Sequence, residues 1–222
     1  MDRFGIIGHP VAHSMSPELF AAAYGGKWAY DLIDEADFEK AWQRFTQGPY
    51  RAVNVTMPFK ERAARAADIK SPEVEKLGAA NILVKTDAGI KAYNSDYLGL
   101  RELLSEPAFK DCGSVAVAGY GGAGKAALAA ARDCGFDTSL YRHDGLENGV
   151  RADIIIYTLP RSVPGIEKLQ CRHLLEANYK DPCLQNHPGY ISGKVWLERQ
   201  ATAGYPLMTG EIPGNIHIFA EH

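Results

Sequence analysis

The chain has 222 residues, 46% of them hydrophobic, and a formal net charge of −3 at pH 7, so it can build one large folded domain or two small ones. The slight acidic excess argues against a nucleic-acid-binding protein, and no apolar run approaches the ~20 residues that cross a bilayer. The four cysteines form no Cys-x-x-Cys pair and the N-terminus shows no signal-peptide pattern, so we expect a cytoplasmic protein with reduced thiols.

The first hundred residues predict alternating strands and helices. The apolar run Phe4–Gly8 indicates a strand, and Ser16-Pro17 predicts a helix start with the serine as its cap, ending before Gly25-Gly26. Further strands are predicted at 28–33 and 52–56 and as a hairpin of 80–85 with 89–93. Further helices are predicted at 38–45, at 59–67 after an opening Pro58, and at 95–104.

After Pro107 the pattern becomes that of a parallel sheet. The apolar strand Ser114–Ala118 leads through glycines into an alanine-rich helix over Lys125–Cys134, and two more apolar strands follow at 138–141 and 153–157. Such alternation predicts parallel strands joined by right-handed crossovers. Between Asp144 and Ala152 there is no room for the usual crossover helix, so we expect a trimmed domain.

These elements predict an α/β fold with two lobes. An N-terminal α/β domain is expected over residues 1–100 and a Rossmann-like, doubly wound parallel-sheet domain over 101–205. Residues 206–222 are expected to return to the first domain, and Pro206 and Pro213 oppose a long helix there. Ligands of such sheets bind beyond the carboxyl ends of the strands, so the expected site is a cleft between the lobes.

A glycine-rich loop follows the strand Ser114–Ala118. It reads Gly119-Tyr120-Gly121-Gly122-Ala123-Gly124 and matches the Gly-x-Gly-x-x-Gly pattern that lets a backbone approach a dinucleotide pyrophosphate at a helix N-terminus. A phosphate loop ending in Gly124-Lys125 is the alternative, but it needs Ser or Thr where this chain has Ala126. A tight turn that simply requires glycine is the third interpretation.

The choice of dinucleotide depends on the residues after the next strand. Arg142 stands near the position where an arginine favours the 2′-phosphate of NADP, although a solvated arginine would look the same. Asp144, two residues on, is the acidic residue that keeps NAD as the alternative.

Short polar side chains crowd the turn before the first helix. Ser14 and Ser16 lie at a helix N-terminus, where hydroxyl and backbone N–H groups suit a carboxylate. A metal site at His9 and His13 is disfavoured because no acidic third ligand is near. A His13–Ser14 hydrolase pair is disfavoured because the chain has no Gly-x-Ser-x-Gly elbow.

Two charged residues of opposite sign begin helices. Lys60 falls in the first turn of its helix, where the positive end of the helix dipole favours release of a proton. Asp96 opens the helix after Asn94-Ser95. A solvated lysine and a helix-capping aspartate are the plain interpretations; if the two side chains meet, they form a pair that can move one proton.

The order and spacing of these motifs resemble the shikimate dehydrogenase family. The match is close over residues 4–131 and thinner beyond. It is carried by His13-Ser14-Met15-Ser16-Pro17, Asn54-Val55-Thr56-Met57-Pro58-Phe59-Lys60, Gly78-Ala79-Ala80-Asn81, Asn94-Ser95-Asp96 and the glycine loop.

The resemblance implies reversible, NADP-dependent reduction of 3-dehydroshikimate to shikimate, a step towards aromatic amino acids. It implies that a small cyclic carboxylate is held by Ser14, Ser16, Thr56, Asn81 and Tyr179, and that Lys60 and Asp96 handle the proton. It implies cofactor binding by Gly119, Gly121, Gly122, Ala123, Gly124, Arg142 and Thr158. It implies no metal, and a monomer or a homodimer.

The chain also departs from the family. The turn that selects NADP reads Tyr141-Arg142-His143 and keeps only the arginine of the family's Asn-Arg-Thr. The family carries a C-terminal helix with Gly-Met-Leu and a substrate-binding glutamine, and the stretch Gly204–Pro213 contains no match for that glutamine. A dehydrogenase of quinate or a related cyclic hydroxy acid, and a ligand-binding homologue without turnover, are therefore the alternatives.

Overall fold

The computed structural model describes residues 2–159 and 163–214. The chain divides into two compact units. One combines the residues up to Ser95 with those from Ala201 onward, and the other is Asp96–Gln200. The predicted boundaries at 100 and 205 lie about five residues further along the chain.

The first unit is built on a mixed six-stranded sheet in the order β2-β1-β3-β5-β6-β4. Its strands are β1 (Arg3–Gly8), β2 (Ala29–Asp34), β3 (Tyr50–Val55), β4 (Ile69–Lys70), β5 (Ile82–Thr86) and β6 (Gly89–Tyr93). Its helices are α1 (Ser16–Tyr24), α2 (Phe38–Gln47), α3 (Lys60–Ala66) and α4 (Pro72–Leu77). Strand β1 runs parallel to both neighbours, and β5 pairs antiparallel with β3 and β6, as the predicted hairpin requires.

The two faces of this sheet differ in chemistry because side chains alternate along each strand. One face is aliphatic, with Ile7, Ile33 and Val53 packed on Phe38 and Phe45 of α2. The other face is aromatic. Its rings are Phe4, Phe20, Tyr24, Trp28, Tyr30 and Tyr205, and the ring centroids of Phe20 lie 4.8 Å from Tyr30 and 5.0 Å from Tyr205. This second face lies under α1.

The second unit is a parallel five-stranded sheet in the order β13-β12-β10-β7-β8. Its strands are β7 (Ser114–Ala118), β8 (Asp137–Tyr141), β10 (Ile154–Tyr157), β12 (His173–Glu176) and β13 (Tyr190–Ser192), and the short strands β9 (Val150–Arg151) and β11 (Leu169–Gln170) pair with each other. Helix α6 (Gly122–Asp133) follows β7; α5 (Ser95–Leu104) and α7 (Gly193–Thr209) each contribute residues to both units. The α/β class and the Rossmann-like parallel sheet are confirmed.

One face of the parallel sheet is covered by loops. Between β8 and β10 the chain forms turns and the short strand β9 with no helix, as the segment length predicts. Leu146, Val150 and Leu169 of the loop-covered face are 0%, 2% and 8% exposed and pack against Ala116 and Ile155 of the sheet. Single aliphatic side chains from loops therefore cover this face of the sheet. In a full domain, the apolar stripe of a helix would cover it.

The C-terminal helix is the largest departure from the sequence prediction. Helix α7 runs for 17 residues and contains Pro206, so the expectation that proline prevents a long helix was wrong. Its buried residues Trp196, Ala201, Tyr205 and Met208 explain why. Proline lacks an N–H donor and its ring crowds the carbonyl four residues before it, and burial of these side chains outweighs that cost. Gly210 N still donates to the Pro206 carbonyl at 2.8 Å.

Within the described residues, no helix is both long and apolar enough to span a membrane.

Candidate functional site

The two serines form a small hydroxyl cluster at the start of α1. The helix begins at Ser16, and no side chain caps it, so the predicted capping by Ser16 was wrong. Ser14 Oγ instead accepts from Ser16 N at 3.2 Å and donates to Ser16 Oγ at 3.0 Å. Both hydroxyls are half-buried beside the backbone N–H groups of a nine-residue helix. This arrangement suits an anion such as a carboxylate.

The histidines of the same turn have different surroundings. His9 Nδ1 lies 2.7 Å from Asp34 Oδ1, and Asp34 Oδ2 accepts from Val11 N at 3.2 Å. The hydrogen bond from His9 and then that from Val11 lower the pKa of Asp34. His13 is exposed. No group of three or more His, Cys, Asp or Glu side chains in residues 2–159 and 163–214 is arranged to hold a metal ion.

Thr56 and Lys60 lie on the segment that joins β3 to α3. Thr56 N donates to the Ile7 carbonyl at 2.9 Å, and the Thr56 carbonyl accepts from Phe59 N at 3.0 Å. The Met57–Pro58 peptide is cis, and α3 begins at Lys60 rather than being opened by the proline. Lys60 is therefore the first helical residue, as close to the positive end of the helix as a lysine can lie.

Asn81 is buried and holds the start of α5. Its Oδ1 accepts from Ser95 N at 2.7 Å and its Nδ2 donates to Ser95 Oγ at 3.1 Å. The segment before Asn81 meets the start of α3, because Ala80 N donates to the Lys60 carbonyl at 2.9 Å. Asp96 follows Ser95 directly and is 4% exposed. The backbone elements that carry Lys60 and Asn81 thus converge within the first unit.

Two polar residues of this region were not found from the sequence. Tyr30 donates its hydroxyl proton to Asn54 Oδ1 at 2.7 Å, and Asn54 Nδ2 donates to the Asn81 carbonyl at 3.4 Å. Burial raises the pKa of Tyr30, and a hydrogen bond with Ser16 opposes part of that rise. Tyr30 lies inside a strand, where a tyrosine is ordinary, and no local motif distinguishes it.

The packing around the glycine loop decides at which of its positions a side chain would fit. Gly119 has φ +105°, and a Cβ there would collide with Thr158 Oγ1. A Cβ at Gly124 would collide with the Gly119 carbonyl. At Gly121 a Cβ would meet nothing within 4 Å. The packing of the protein thus requires the first and last glycines, whereas Gly121 leaves open space that fits the close approach of a pyrophosphate.

Gly122 and Ala123 begin α6, so their backbone lies at its N-terminus. Thr158 Oγ1 donates to the Ala118 carbonyl at 2.8 Å and lies against the glycine loop. Its hydroxyl therefore supports the loop from within the protein, and its contact with a cofactor stays a prediction.

Arg142 lines a cavity of about 230 Å³ together with Gly119, Tyr120, His143 and Leu159. Its guanidinium carbon lies 5.9 Å from the ring centroid of Tyr120, within the range of a cation–π contact. Asp144 is exposed and is not among the residues that line the cavity. The cation is thus next to the glycine loop, as binding of a 2′-phosphate requires.

Tyr179 lies on the loop after β12, and burial raises the pKa of its hydroxyl. The carboxylate of Glu176, 1% exposed, anchors that loop by accepting from Cys183 N at 2.8 Å and from Leu184 N at 3.1 Å.

Gln200 is a further candidate for the glutamine that the resemblance implies. It lies on α7 within Gly193-x-x-Trp196-Leu197-x-x-Gln200, so a glycine, a leucine and a glutamine follow one another as the resemblance implies for the C-terminal helix. A tryptophan precedes the leucine where the family has methionine. Residues 204–209 are only the last part of α7, which starts eleven residues before Gly204.

A mixed-sheet unit with clustered hydroxyl and amide groups, and a parallel-sheet unit with a dinucleotide-type glycine loop, define an α/β protein of the Rossmann-containing class. Residues 6–83 match the family model of the shikimate dehydrogenase substrate binding domain. Over these residues the chain is similar to the shikimate dehydrogenase family. The match of the family model covers Ser14, Ser16, Thr56, Lys60 and Asn81.

Individual relatives show the same similarity. A shikimate dehydrogenase (NADP(+)) of Thermus thermophilus is 35% identical over 142 residues, which are 62% of this chain and 54% of that protein. The enzyme of the same name from Methanosarcina barkeri is 34% identical over 183 residues, 78% of this chain and 65% of its own length. The chain thus spans about half the length of the first of these relatives and two thirds of the second.

The similarity of fold extends further than that of sequence. The crystal structure of Thermus thermophilus shikimate 5-dehydrogenase in complex with NADP(H) and shikimate matches with a TM-score of 0.82 at 25% identity, over 96% of this chain and 95% of that one. The fold is therefore shared over nearly the whole chain, whereas the sequence match to the first relative covers 62% of it.

Proposed function

We propose that this chain catalyses the reversible, NADPH-dependent reduction of 3-dehydroshikimate to shikimate. The observation that carries the proposal is the polar edge of the first sheet. Ser14 and Ser16 follow β1 there, Thr56 and Lys60 follow β3, and Asn81 directly precedes the antiparallel strand β5. The hydroxyl, ammonium and amide groups at this edge can bind a small ring that carries a carboxylate, hydroxyls and a ketone. The similarity to the family supports the same substrate class.

The substrate carboxylate is assigned to the hydroxyls of Ser14 and Ser16 with the N-terminus of α1. Thr56 and Asn81 are assigned to the ring hydroxyls, and Asn81 is held rigidly for this by its two bonds to Ser95. Tyr179 and Gln200 are assigned to the substrate from the resemblance alone.

Lys60 is assigned the proton step. As the first residue of α3 it lies at the N-terminus of that helix, on the segment that follows β3. In the direction of reduction it gives a proton to the oxygen of the former ketone, and Asp96 orients it and balances its charge. A positioned acid of this kind typically contributes ~10²–10⁴ in rate.

The residues of the second unit fit NADP. A nicotinamide dinucleotide, when bound, supplies the hydride. Gly119, Gly121 and Gly124 with the N-terminus of α6 are assigned to its pyrophosphate, and Arg142 to its 2′-phosphate. Asp144 would bind a ribose hydroxyl of NAD, but it does not line the cavity that Arg142 shares with the glycine loop. NADP is therefore the proposed cofactor, and the cytoplasm the proposed compartment, consistent with four free cysteines.

The proposal is tested by Lys60→Ala in an assay of NADPH oxidation with 3-dehydroshikimate. We expect kcat to fall by about 10²–10⁴ while the Kd of shikimate changes little, because the proton donor is lost and the binding groups remain. Lys40→Ala, which removes a lysine of α2, is the matched control and should keep wild-type kcat. Wild-type protein that binds shikimate and NADPH without turnover would contradict the proposal, and a panel including quinate identifies a different substrate.

A further inference from the structure

Tyr120 is an aromatic residue inside the glycine loop. The other members of the loop, residues 119 and 121–124, are glycine or alanine. The Tyr120 side chain is 44% exposed, so its ring is a large apolar group that the protein leaves at the surface. A ring that stays in water gains little from the hydrophobic effect. Core packing therefore does not explain why an aromatic side chain stands at this position.

The backbone holds Tyr120 next to Arg142. Strands β7 and β8 are parallel neighbours, and Ala118 at the end of β7 is paired with Tyr141 at the end of β8. Gly119 N donates to the Tyr141 carbonyl at 2.8 Å, which extends the pairing by one residue into the loop. Tyr120 and Arg142 are the residues that follow these bonded positions. The register of the sheet thus brings the two side chains to the same place.

The ring of Tyr120 and the guanidinium of Arg142 lie within cation–π range. The guanidinium carbon is 5.9 Å from the ring centroid, and both side chains line the cavity of about 230 Å³ beside the glycine loop. An exposed arginine has many rotamers, and contact with a fixed ring restricts them. A binding group that is restricted in advance loses less entropy when its ligand arrives.

This contact does not compete with an anion for the arginine. A cation–π contact involves the electron-rich face of the ring and not a lone pair of an acceptor atom. The guanidinium has more N–H donors than a bidentate pair of bonds to a phosphate uses. A phosphate can therefore bind Arg142 while the contact with Tyr120 persists.

We propose that Tyr120 is a positioning residue of the cofactor site, where its ring orients the Arg142 guanidinium towards the 2′-phosphate of NADP. The proposal rests on the proposed function, because it takes Arg142 as the group that binds that phosphate. It places a determinant of cofactor choice inside the glycine loop, at a position that the Gly-x-Gly-x-x-Gly pattern leaves open to any residue.

The test is Tyr120→Leu, which removes the aromatic ring and keeps an apolar side chain. Binding of 2′,5′-ADP and of 5′-AMP to the full chain is measured by calorimetry, because these nucleotides differ only in the 2′-phosphate. We expect the Kd of 2′,5′-ADP to rise about two- to fivefold, the effect of one lost cation–π contact at an exposed site. The Kd of 5′-AMP should stay within about 1.5-fold, since it lacks the group that Arg142 is oriented to bind.

Tyr120→Phe is the matched control. It keeps the ring and removes only the hydroxyl, so both Kd values should stay within about 1.5-fold of the wild type. A second comparison is needed for Lys125, because its Nζ lies 5.7 Å from the same ring centroid. In a protein that already carries Arg142→Ala, adding Tyr120→Leu should leave the Kd of 2′,5′-ADP unchanged, since the ring acts through the arginine. A further loss there would overturn the inference.

Two other results would also overturn it. Equal weakening of both nucleotides by Tyr120→Leu would mean that the ring contacts the adenosine they share. No weakening of either nucleotide would mean that the ring does not orient the arginine. Both results leave the proposed function intact. If the wild type binds 2′,5′-ADP no more tightly than 5′-AMP, the proposed choice of NADP fails, and the inference fails with it.

Discussion

Arg142 sets the expected choice between the two nicotinamide dinucleotides. Its guanidinium is the charge next to the glycine loop in the cavity that it lines with Tyr120 and His143. For Arg142→Ala we expect KM for NADPH to rise about ten- to hundredfold and KM for NADH to stay within twofold, because a charge-assisted bond to the 2′-phosphate is lost. Steady-state kinetics with both cofactors measures this.

Arg132→Ala is the control for the loss of a positive charge in the same unit. Arg132 is exposed on the last turn of α6 and donates to Thr138 Oγ1 at 3.2 Å. It should leave the ratio of the two KM values unchanged. An equal effect of Arg142→Ala on NADPH and NADH would show that the arginine does not bind the 2′-phosphate.

Residues were predictable from the sequence where a motif surrounds them. Ser14, Ser16 and Lys60 lie at helix starts or strand ends that the adjacent residues in the sequence predict. The bond between Tyr30 and Asn54 could not be predicted, because the two residues are 24 positions apart on strands that meet only in the folded sheet. The roles of all these residues stay predictions until the variants are measured.

Asp153 joins the starts of neighbouring strands at the level of the sheet. Its Oδ2 accepts from Gly113 N at 2.8 Å, Ser114 N at 3.0 Å and Ser114 Oγ at 2.9 Å, which connects the start of β7 to that of β10. The bond from Gly113, followed by those from Ser114, lowers the pKa of the carboxyl. The carboxylate therefore stabilises the fold while it is ionised.

For Asp153→Asn we expect a smaller free energy of unfolding at neutral pH. A folded pKa below the unfolded value of about 3.9 gives stability that is present above pH ~4 and is lost as the pH falls through the folded pKa. The difference from the wild type should thus be constant from pH 5 to 8 and shrink below pH 4, measured by urea unfolding. Asp87→Asn, in the exposed hairpin turn, should show no such trend. A difference that stays constant down to pH 3 would contradict this explanation.

Strands and helices were predictable where the apolar periodicity agreed with a turn or stop signal. Examples are α1, which ends before Gly25, and the hairpin β5–β6. Helix α7 was missed because Pro206 outweighed the buried residues on either side of it. Local propensity gave the wrong answer there because tertiary packing of Tyr205 and Met208 decides the structure. The two-residue strands β4, β9 and β11 carry too few residues for any pattern.

The first unit is assembled from distant parts of the chain. Tyr205 comes from α7, more than a hundred residues after Ser95, yet its ring lies 5.0 Å from Phe20 and 6.2 Å from Tyr24. We expect Tyr205→Ala to cost about 3–5 kcal/mol of unfolding free energy, since a buried ring is removed from the aromatic face. Urea unfolding measures this.

Ile212→Ala is the control in the same C-terminal stretch. Ile212 is 89% exposed, so its truncation should change the unfolding free energy by less than about 0.5 kcal/mol. A loss for Tyr205→Ala as small as that expected for Ile212→Ala would mean that this ring does not stabilise the first unit.

The loop-covered face of the parallel sheet makes that part of the molecule modular. Each covering segment meets the strands through one or two aliphatic anchors, such as Leu146, Val150 and Leu169. The segment between two anchors can therefore change in length, because a longer loop costs little additional closure entropy. An engineer could splice a crossover helix between the anchors Leu146 and Val150, or shorten the turn there, and leave the strands β8 and β10 on either side of it unchanged.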